Sequence, residues 1–538
     1  MTTTNNIEKV VIVGGGSAGW LTAGVLAATL RRRGLASVNV TLIESPNIAT
    51  IGVGEGTWPS MRTTLQSIGI SETDFIRHCD AAFKQGTCFV DWLGADRAGA
   101  NAGDKAGNTV GDQGSDRDRA DQYLHPFTLP QNYHERNAAA DWLTKSNGLR
   151  FSDAVTAQGR LAPLGFAPKS ISTPEYAFYL NYGYHLDAGK FAELLREHCV
   201  GKLGVAHRLG EVRSVRSSGE GDLLGLELDS GEYLEGDFFV DCSGMRALLL
   251  GDCLGVPLRP CGDVLFNDRA LAVQVPYTDP GQAVASCTIS TAREAGWIWD
   301  IGLGSRRGVG YVYSSAHSDT EAAGRALRDY LGASLGAPAS SLEPREIAFT
   351  PGYREQFWRR NCLAIGMASG FIEPLEASAL VLVELSARYL AEDFPVTRDL
   401  LPAASRRFNR RFRQHWEMII DFLKLHYVLS RREGAYWRDH RAERSVPESL
   451  ADRLALWRHR PPWHQDAIAS DDMFPPASYQ YVLYGMGYRS DVPAESGGSG
   501  ARGDTFAEVQ RLVGQLQGKL PAHRELLNRI REHRLPTV

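Results

Sequence analysis

A short apolar run rich in β-branched residues, Lys9 to Val13, leads directly into Gly14-Gly15-Gly16-Ser17-Ala18-Gly19, and a helical spacing of apolar positions follows from Trp20 through Leu30. Arg31, Arg32 and Arg33, then Gly34, close that helix, because cations favour a last turn and glycine accepts the left-handed cap. A second run, Val38 to Ile43, ends on Glu44. The chain therefore opens as strand, turn, helix, strand. Between 211 and 244 the pattern shortens: Asp222 to Leu228 alternates polar and apolar, Ser230-Gly231 marks a hairpin, and Phe238 to Val240 reads as a buried strand. Residues 268–315 are again strand-like, and Cys362-Leu363-Ala364-Ile365-Gly366 reads as a late strand ending in glycine. From about Glu373 the periodicity turns helical, through Val381 to Leu390 and Phe408 to Leu429.

Two stretches lack any such pattern. Residues 94–121 hold one valine as their only large apolar residue, and 494–504 reads AESGGSGARGD. Both predict flexible surface loops that bury too little to fold alone.

Composition narrows the function classes. The 538 residues carry 58 Lys plus Arg against 63 Asp plus Glu, a net charge of -5, so no basic excess draws the chain to nucleic acid or an anionic membrane. No apolar stretch approaches the roughly 20 residues of a membrane span. The opening MTTTNNIEKV lacks the basic start and apolar run of a secretory signal. Eight scattered cysteines without a C-x-x-C pair predict reduced thiols, with neither a disulfide framework nor a metal site. The expectation is a cytoplasmic protein with no membrane or nucleic-acid partner.

The glycine cluster is a G-x-G-x-x-G in the context that gives it meaning: it follows a strand, opens a helix, and an acid closes the next strand. Gly14 permits the tight turn and Gly16 lets backbone N–H groups reach a pyrophosphate. Gly19 lets helix and strand pack closely, while the first helical turn, with Ser17 and Ala18, meets the negative charge. Glu44 would accept hydrogen bonds from ribose hydroxyls. A Rossmann half, a β-meander and a late returning strand suit FAD better than NAD. No second G-x-G-x-x-G follows a strand pattern: Gly498-Ser499-Gly500-Ala501-Arg502-Gly503 has the spacing but lies in the unpatterned stretch 494–504, so electrons for a reduced flavin would arrive from elsewhere.

The predicted architecture is α/β: an FAD-binding Rossmann-like core of the flavin monooxygenase type, with a mixed β-sheet region and a helical C-terminal substrate lobe. The core would span 1–400, woven from a Rossmann half (8–60), a β-meander (205–245) and the late strand (361–380). The lobe would span 401–538.

Several motifs between Val11 and Ala379 together resemble the flavin-dependent halogenases, the tryptophan halogenase family. VVIVGGGSAGW is similar to the family's FAD fingerprint, and Ile51-Gly52-Val53-Gly54-Glu55-Gly56-Thr57-Trp58-Pro59 to its strap over the flavin. Phe83-Lys84-Gln85-Gly86 resembles the segment of the catalytic lysine. Gly296-Trp297-Ile298-Trp299-Asp300-Ile301 resembles the tryptophan-rich signature, and Gly370-Phe371-Ile372-Glu373-Pro374-Leu375-Glu376-Ala377-Ser378 the G-F-x-E-P-L-E-S-T block. There are two departures: Gly302 stands where the signature continues with proline, and Ala377-Ser378-Ala379 replaces Ser-Thr-Gly.

The resemblance implies that reduced FAD and O2 convert bound chloride or bromide into hypohalous acid, which then halogenates an electron-rich aromatic, indole-like or tryptophan. On this basis Lys84 receives the oxidant, and Glu376, near it, removes the ring proton or orients the oxidant. Ser378 and Ala379 offer backbone N–H groups to the halide. Trp297 and Trp299 shield the flavin, and they are equally readable as a core aromatic pair on one strand face. Ala49, Val53, Gly54, Val212, Met367 and Leu380 join the glycine cluster and Glu44 as FAD contacts. Trp416, His426, Tyr427, Trp437, Trp457, Trp463, Phe474, Tyr479, Tyr481 and Tyr484 are the aromatics from which a substrate pocket would be drawn. A separate NAD(P)H-dependent flavin reductase is the implied partner, a small aromatic the substrate, and a homodimer the implied assembly. Two other functions compete. A flavin-dependent aromatic hydroxylase would oxidise NAD(P)H by itself and carry Gly-Asp near the late strand, where this chain has Gly366-Met367. A flavin-binding protein without turnover would hold FAD and make no product.

Overall fold

The computed structural model describes residues 5–48, 54–94, 121–145, 148–336, 339, 342–469, 471–492 and 504–537. Ala49 and Val53 lie outside the described residues, as does almost all of the two expected loops. The chain forms two compact units, one of Met1–Ala81, Leu186–Cys261 and Phe349–Trp416, the other of Ala82–His185, Gly262–Ala348 and Glu417–Val538. The expected boundary at 400 is thus not where the contacts divide the chain. Residues after 416 group with two earlier segments because their helices pack on those segments, as Thr505–Gln517 does on Ala157 and Leu161.

The first unit is built on a six-stranded sheet. The opening strand, Lys9–Val13, lies between Asn39–Glu44 and Phe238–Asp241, parallel to both. Ala206–Leu209 extends one side in parallel, and Cys362–Ala364 extends the other beside Phe238–Asp241. Lys9–Val13 is buried at four consecutive positions, as a strand covered on both faces requires. The helix Ser17–Arg32 is buried along most of its length. At Gly24 a Cβ would stand 3.2 Å from the Sγ of Cys199, so glycine lets the helix Ala188–Leu203 approach closely.

The β-meander consists of Val212–Ser217, Leu223–Leu228 and Tyr233–Glu235, antiparallel throughout. Leu223, Leu226 and Leu228 pack into one core with Val11, Phe239 and Leu250. The late helix observed is Ser378–Glu392, one turn fuller than the periodicity suggests. Trp416 belongs to this unit, stacked on Tyr353 with centroids 5.5 Å apart.

The second unit carries a seven-stranded sheet in the order 345–348, 269–276, 306–313, 296–302, 288–293, 86–90, 122–126. Its pairings are antiparallel except that of Gly86–Val90 with Thr288–Arg293, which is parallel. The helix Thr320–Leu335 lays Ala323, Leu327 and Leu331 on one sheet face, against Leu271, Val309 and Tyr311. Helices from the end of the chain cover other parts: Thr505–Gln517 packs Val509, Val513 and Leu516 on Ala157 and Leu161. Phe422 stacks on Phe474 at 3.7 Å and meets Tyr479 edge-on. None of the eight cysteines, all of them described, is in a disulfide. Among the described residues no helix is long and apolar enough to cross a membrane.

Candidate active site

The glycine turn of the first unit has the geometry its spacing predicts. Gly14 adopts φ 120°, and a Cβ there would fall 2.2 Å from the carbonyl oxygen of Cys242. At Gly19 a Cβ would fall 1.8 Å from the Gly14 carbonyl, so only glycine lets the helix start this close to the strand. At Gly16 nothing lies within 4 Å of the corresponding position. Gly16 is also the N-cap; no side chain caps the helix and no acid occupies its first turn. The N–H groups that open the helix, with the positive end of its dipole, suit a pyrophosphate. The Ser17 hydroxyl is already committed, donating to the Ala188 carbonyl at 3.1 Å, so Ser17 offers its backbone.

Around this turn the fold gathers other expected flavin contacts. Glu44 ends its strand with its side chain folded over Gly15, and one carboxylate oxygen lies 3.0 Å from Nε2 of His207. The Gly210 N–H donates to the Glu44 carbonyl at 3.0 Å, which brings the start of the meander, with Val212, to the end of that strand. The late strand ends at Gly366 (φ 71°), where a Cβ would fall 2.8 Å from the Cβ of Ala18. Met367 follows, 37% exposed, with its methyl group near Gly244. Leu380 is buried in the first turns of Ser378–Glu392. Gly54, at φ 78°, opens the described part of the strap. The open space at Gly16, the uncapped helix start and the Glu44 carboxylate make a cradle whose donors and acceptor suit the pyrophosphate and ribose of a dinucleotide such as FAD.

Asp241, which the sequence reading left out, supports this cradle from below. Its fully buried carboxylate accepts from Ser243 N–H (3.1 Å), Ser243 hydroxyl (2.5 Å), and the N–H groups of Leu249 and Leu250 (2.8 Å each). That fixes the loop whose Cys242 carbonyl faces Gly14. The strand-final position before Cys-Ser-Gly was the available signal.

Glu376 and Ala377 both adopt left-handed backbone, at φ 67° and φ 53°. Two consecutive non-glycine residues there cost about 1–3 kcal/mol each, and such conformations persist where surrounding contacts over-determine them. Glu376 is 5% exposed and sits two residues ahead of its helix, not in the first turn as a dipole-stabilised acid would. The helix Ser378–Glu392 has Ala377 as N-cap, no side-chain cap and no first-turn acid. The N–H groups at Ser378 and Ala379 therefore open a second uncapped helix N-terminus. The change of backbone hand from Ala377 to Ser378 adds the concave arrangement of N–H groups that suits a small anion.

In the second unit Lys84 closes the strand Ala82–Lys84 and is 1% exposed. The next residues explain its surroundings. Gly86 (φ 148°) lets strand 86–90 approach strand 122–126 so closely that a Cβ would fall 2.3 Å from the His125 carbonyl. The Phe127 N–H then donates to the Gln85 carbonyl at 3.1 Å, and Lys84 Nζ lies 5.5 Å from the centroid of the Phe127 ring. Lys84 pairs with Gly183 across the strand Gly183–Leu186. His185, one pair along, is fully buried and held well below the ordinary imidazole range, first by burial and then by the Lys84 charge.

His523 had no role in the sequence reading. Its Nε2 accepts the Phe83 N–H at 3.0 Å, and its Nδ1 faces the Ser286 hydroxyl and the Val284 carbonyl at 3.2 Å. Burial lowers its pKa to about 3, so the ring is neutral and Nε2 is a permanent acceptor. With 440 residues between the partners, no local pattern could have found this contact.

Trp297 and Trp299 share one face of the strand Gly296–Gly302, both buried, with centroids 6.3 Å apart and edge-on. Gly310, opposite Trp299, has no side chain because the indole fills that space: a Cβ would fall 2.1 Å from the ring. The strand runs unbroken through Gly302, where the sequence departs from proline. Of the later aromatics, His426, Tyr427, Trp437, Trp457, Phe474, Tyr479, Tyr481 and Tyr484 are buried in this unit, whereas Trp463 is partly exposed.

Comparison with known proteins places the chain in a family. The sequence profile of the family described as "Tryptophan halogenase" matches residues 9–499. The chain is 32% identical over 529 residues to the 7-chloro-L-tryptophan 6-halogenase KtzR of Kutzneria sp. (strain 744), covering 97% of this chain and 99% of that protein. The crystal structure of a tryptophan halogenase from Shewanella frigidimarina superposes with a TM-score of 0.90 at 48% identity, covering 99% of both chains. BrvH, a flavin-dependent halogenase from Brevundimonas sp. BAL3, superposes at 0.81 with 34% identity, covering 98% of this chain and all of that one. The chain belongs to the tryptophan halogenase family and is a flavin-dependent halogenase.

Proposed function

We propose that this enzyme takes reduced FAD from a separate NAD(P)H-dependent reductase and halogenates a small electron-rich aromatic of the indole class, with tryptophan the first candidate. Relatives named for tryptophan support the substrate class, and the lack of a second G-x-G-x-x-G behind a strand pattern supports an external reductase. The observation that carries the reading is Lys84, a lysine withdrawn from water beside an aromatic ring. Burial of an ammonium is costly, and surface lysines avoid it.

Bound reduced FAD supplies, with O2, the oxidising power that turns chloride or bromide into hypohalous acid. The glycine turn holds its pyrophosphate on the first-turn N–H groups at Ser17 and Ala18, and Glu44 accepts from its ribose. The N–H groups at Ser378 and Ala379 hold the halide without a dedicated cation. Trp297 and Trp299 keep organic substrate from the flavin. Lys84 donates a hydrogen bond to the oxygen of hypohalous acid, the ring carbon takes the halogen as the oxygen–halogen bond breaks and hydroxide leaves, and Glu376 then takes the ring proton. Eight free thiols favour a reducing compartment such as the cytoplasm.

The test combines the protein with a flavin reductase, NADH, O2 and either halide, and follows indole and tryptophan by mass spectrometry. Wild type is expected to give halogenated product only when the reductase is present. Lys84→Ala is expected to lose a hundredfold or more, about the range of a positioned acid or base, while still binding FAD. Equal halogenation by the two proteins removes Lys84 from the reaction, and hydroxylated product without halide hands the site to a hydroxylase.

A further inference from the structure

Glu376 and Ala377 hold a backbone conformation that neither residue type prefers, so something outside the turn must hold them there. The indole of Trp58 is placed to do so: its Nε1–H donates to the Glu376 carbonyl at 2.8 Å, across 318 positions of sequence. Trp58 is anchored in turn. Its carbonyl accepts the Met61 N–H at 3.1 Å, at the start of the helix Ser60–Ile68. Two hydroxyls of that helix, Ser60 and Thr64, donate to the buried carboxylate of Glu384 at 3.1 and 2.5 Å. Glu384 lies within Ser378–Glu392, the helix that the strained turn begins. The hydrogen bonds therefore close a ring from Trp58 to the turn, along the helix to Glu384, and back through Ser60 and Thr64.

We propose that Trp58 is a positioning residue for Glu376: its indole N–H grips the carbonyl, keeps the turn left-handed and so fixes the direction of the Glu376 carboxyl. The proposal rests on Glu376 having the role assigned above. It joins two motifs far apart in sequence: the strap tryptophan acts through the backbone of the turn that carries Glu376 and touches no reacting atom.

The test uses Trp58→Phe, which keeps an aromatic ring and removes the donor, and the double variant Trp58→Phe/Ala377→Gly. Glycine is at ease in left-handed backbone, so it removes the need for the grip at one of the two positions. Crystal structures of wild type and Trp58→Phe without substrate are expected to differ at Glu376 and Ala377, which leave the left-handed region in the variant. In the halogenation assay kcat of Trp58→Phe is expected to fall about fivefold to tenfold, as for loss of one hydrogen bond, with KM for the aromatic unchanged. The double variant is expected to recover most of that loss, which a tryptophan needed only for packing would not allow. Left-handed φ values retained in Trp58→Phe overturn the proposal whatever the activity, and so does an unchanged kcat or a double variant no better than the single. If wild type itself makes no halogenated product, the halogenase reading fails, and the two crystal structures still decide whether Trp58 holds the turn.

Discussion

Glu384 is a carboxyl removed from water and met by two hydroxyls, and burial pushes its pKa from the ordinary 4.5 to about 7. Between those values the folded chain keeps a proton that the unfolded chain releases, so this group makes stability fall as pH rises from about 4.5 to 7. The shift corresponds to about 3 kcal/mol at most. Glu384→Gln is neutral at every pH, so it is expected to melt higher than wild type at pH 8 and to lose that advantage by pH 4. An advantage unchanged between the two pH values would mean that Glu384 does not titrate in the fold. Only part of this scale was legible in advance. Gly14, Gly16 and Gly19 declare themselves by spacing, although only Gly19 is limited by the turn itself, the space at Gly14 being taken by the Cys242 carbonyl from far along the chain. Trp58 stood inside a recognised motif, yet its hydrogen-bond partner is contributed from 318 residues away, and no local spacing encodes that.

At the scale of elements, the helices Ser17–Arg32 and Ser378–Glu392 both begin without a side-chain cap or a first-turn acid, and both starts were expected from the sequence to be anion sites. The left-handed pair ahead of the second was not, since neither glutamate nor alanine signals that conformation. Lys84 was marked only by the resemblance of Phe83-Lys84-Gln85-Gly86, and neither its strand, Ala82–Lys84, nor the fastening of that strand was read from the sequence. His523, the first residue of the helix His523–Glu532, satisfies the Phe83 N–H next to Lys84. His523→Ala leaves that buried donor unpaired, at a cost of about 1–3 kcal/mol. A thermal melt is expected to drop by several degrees at pH 8 and by less at pH 6, because below the ordinary 6.5 the unfolded His523 binds a proton that the buried ring, lowered to about 3, does not, and alanine removes that penalty. A melt identical to wild type would show that the strand does not depend on this imidazole.

At the scale of the molecule, ligand binding adds to folding stability whatever binds only the folded state. FAD at a hundred times its dissociation constant is expected to add about 2.7 kcal/mol and raise the melting temperature. Gly19→Ala places a methyl group where the Gly14 carbonyl lies, so the same FAD concentration should raise its melting temperature little or not at all. An equal rise in both proteins would move the flavin away from the glycine turn.

What the sequence determined by itself is local: the strand-turn-helix-strand opening, the glycine geometry, the β-meander, the late helices, and the residue types that mark a halogenase. Each depends on contacts within a few residues, where spacing is a direct record of geometry. Only the tertiary structure decided which distant segments share a sheet, as when Cys362–Ala364 pairs with Phe238–Asp241 and Thr87 with Thr288. The same holds for the supports of Lys84 and Glu376, His523 and Trp58. Long-range pairing is chosen by packing and hydrogen-bond satisfaction across the whole unit, which no window along the chain contains.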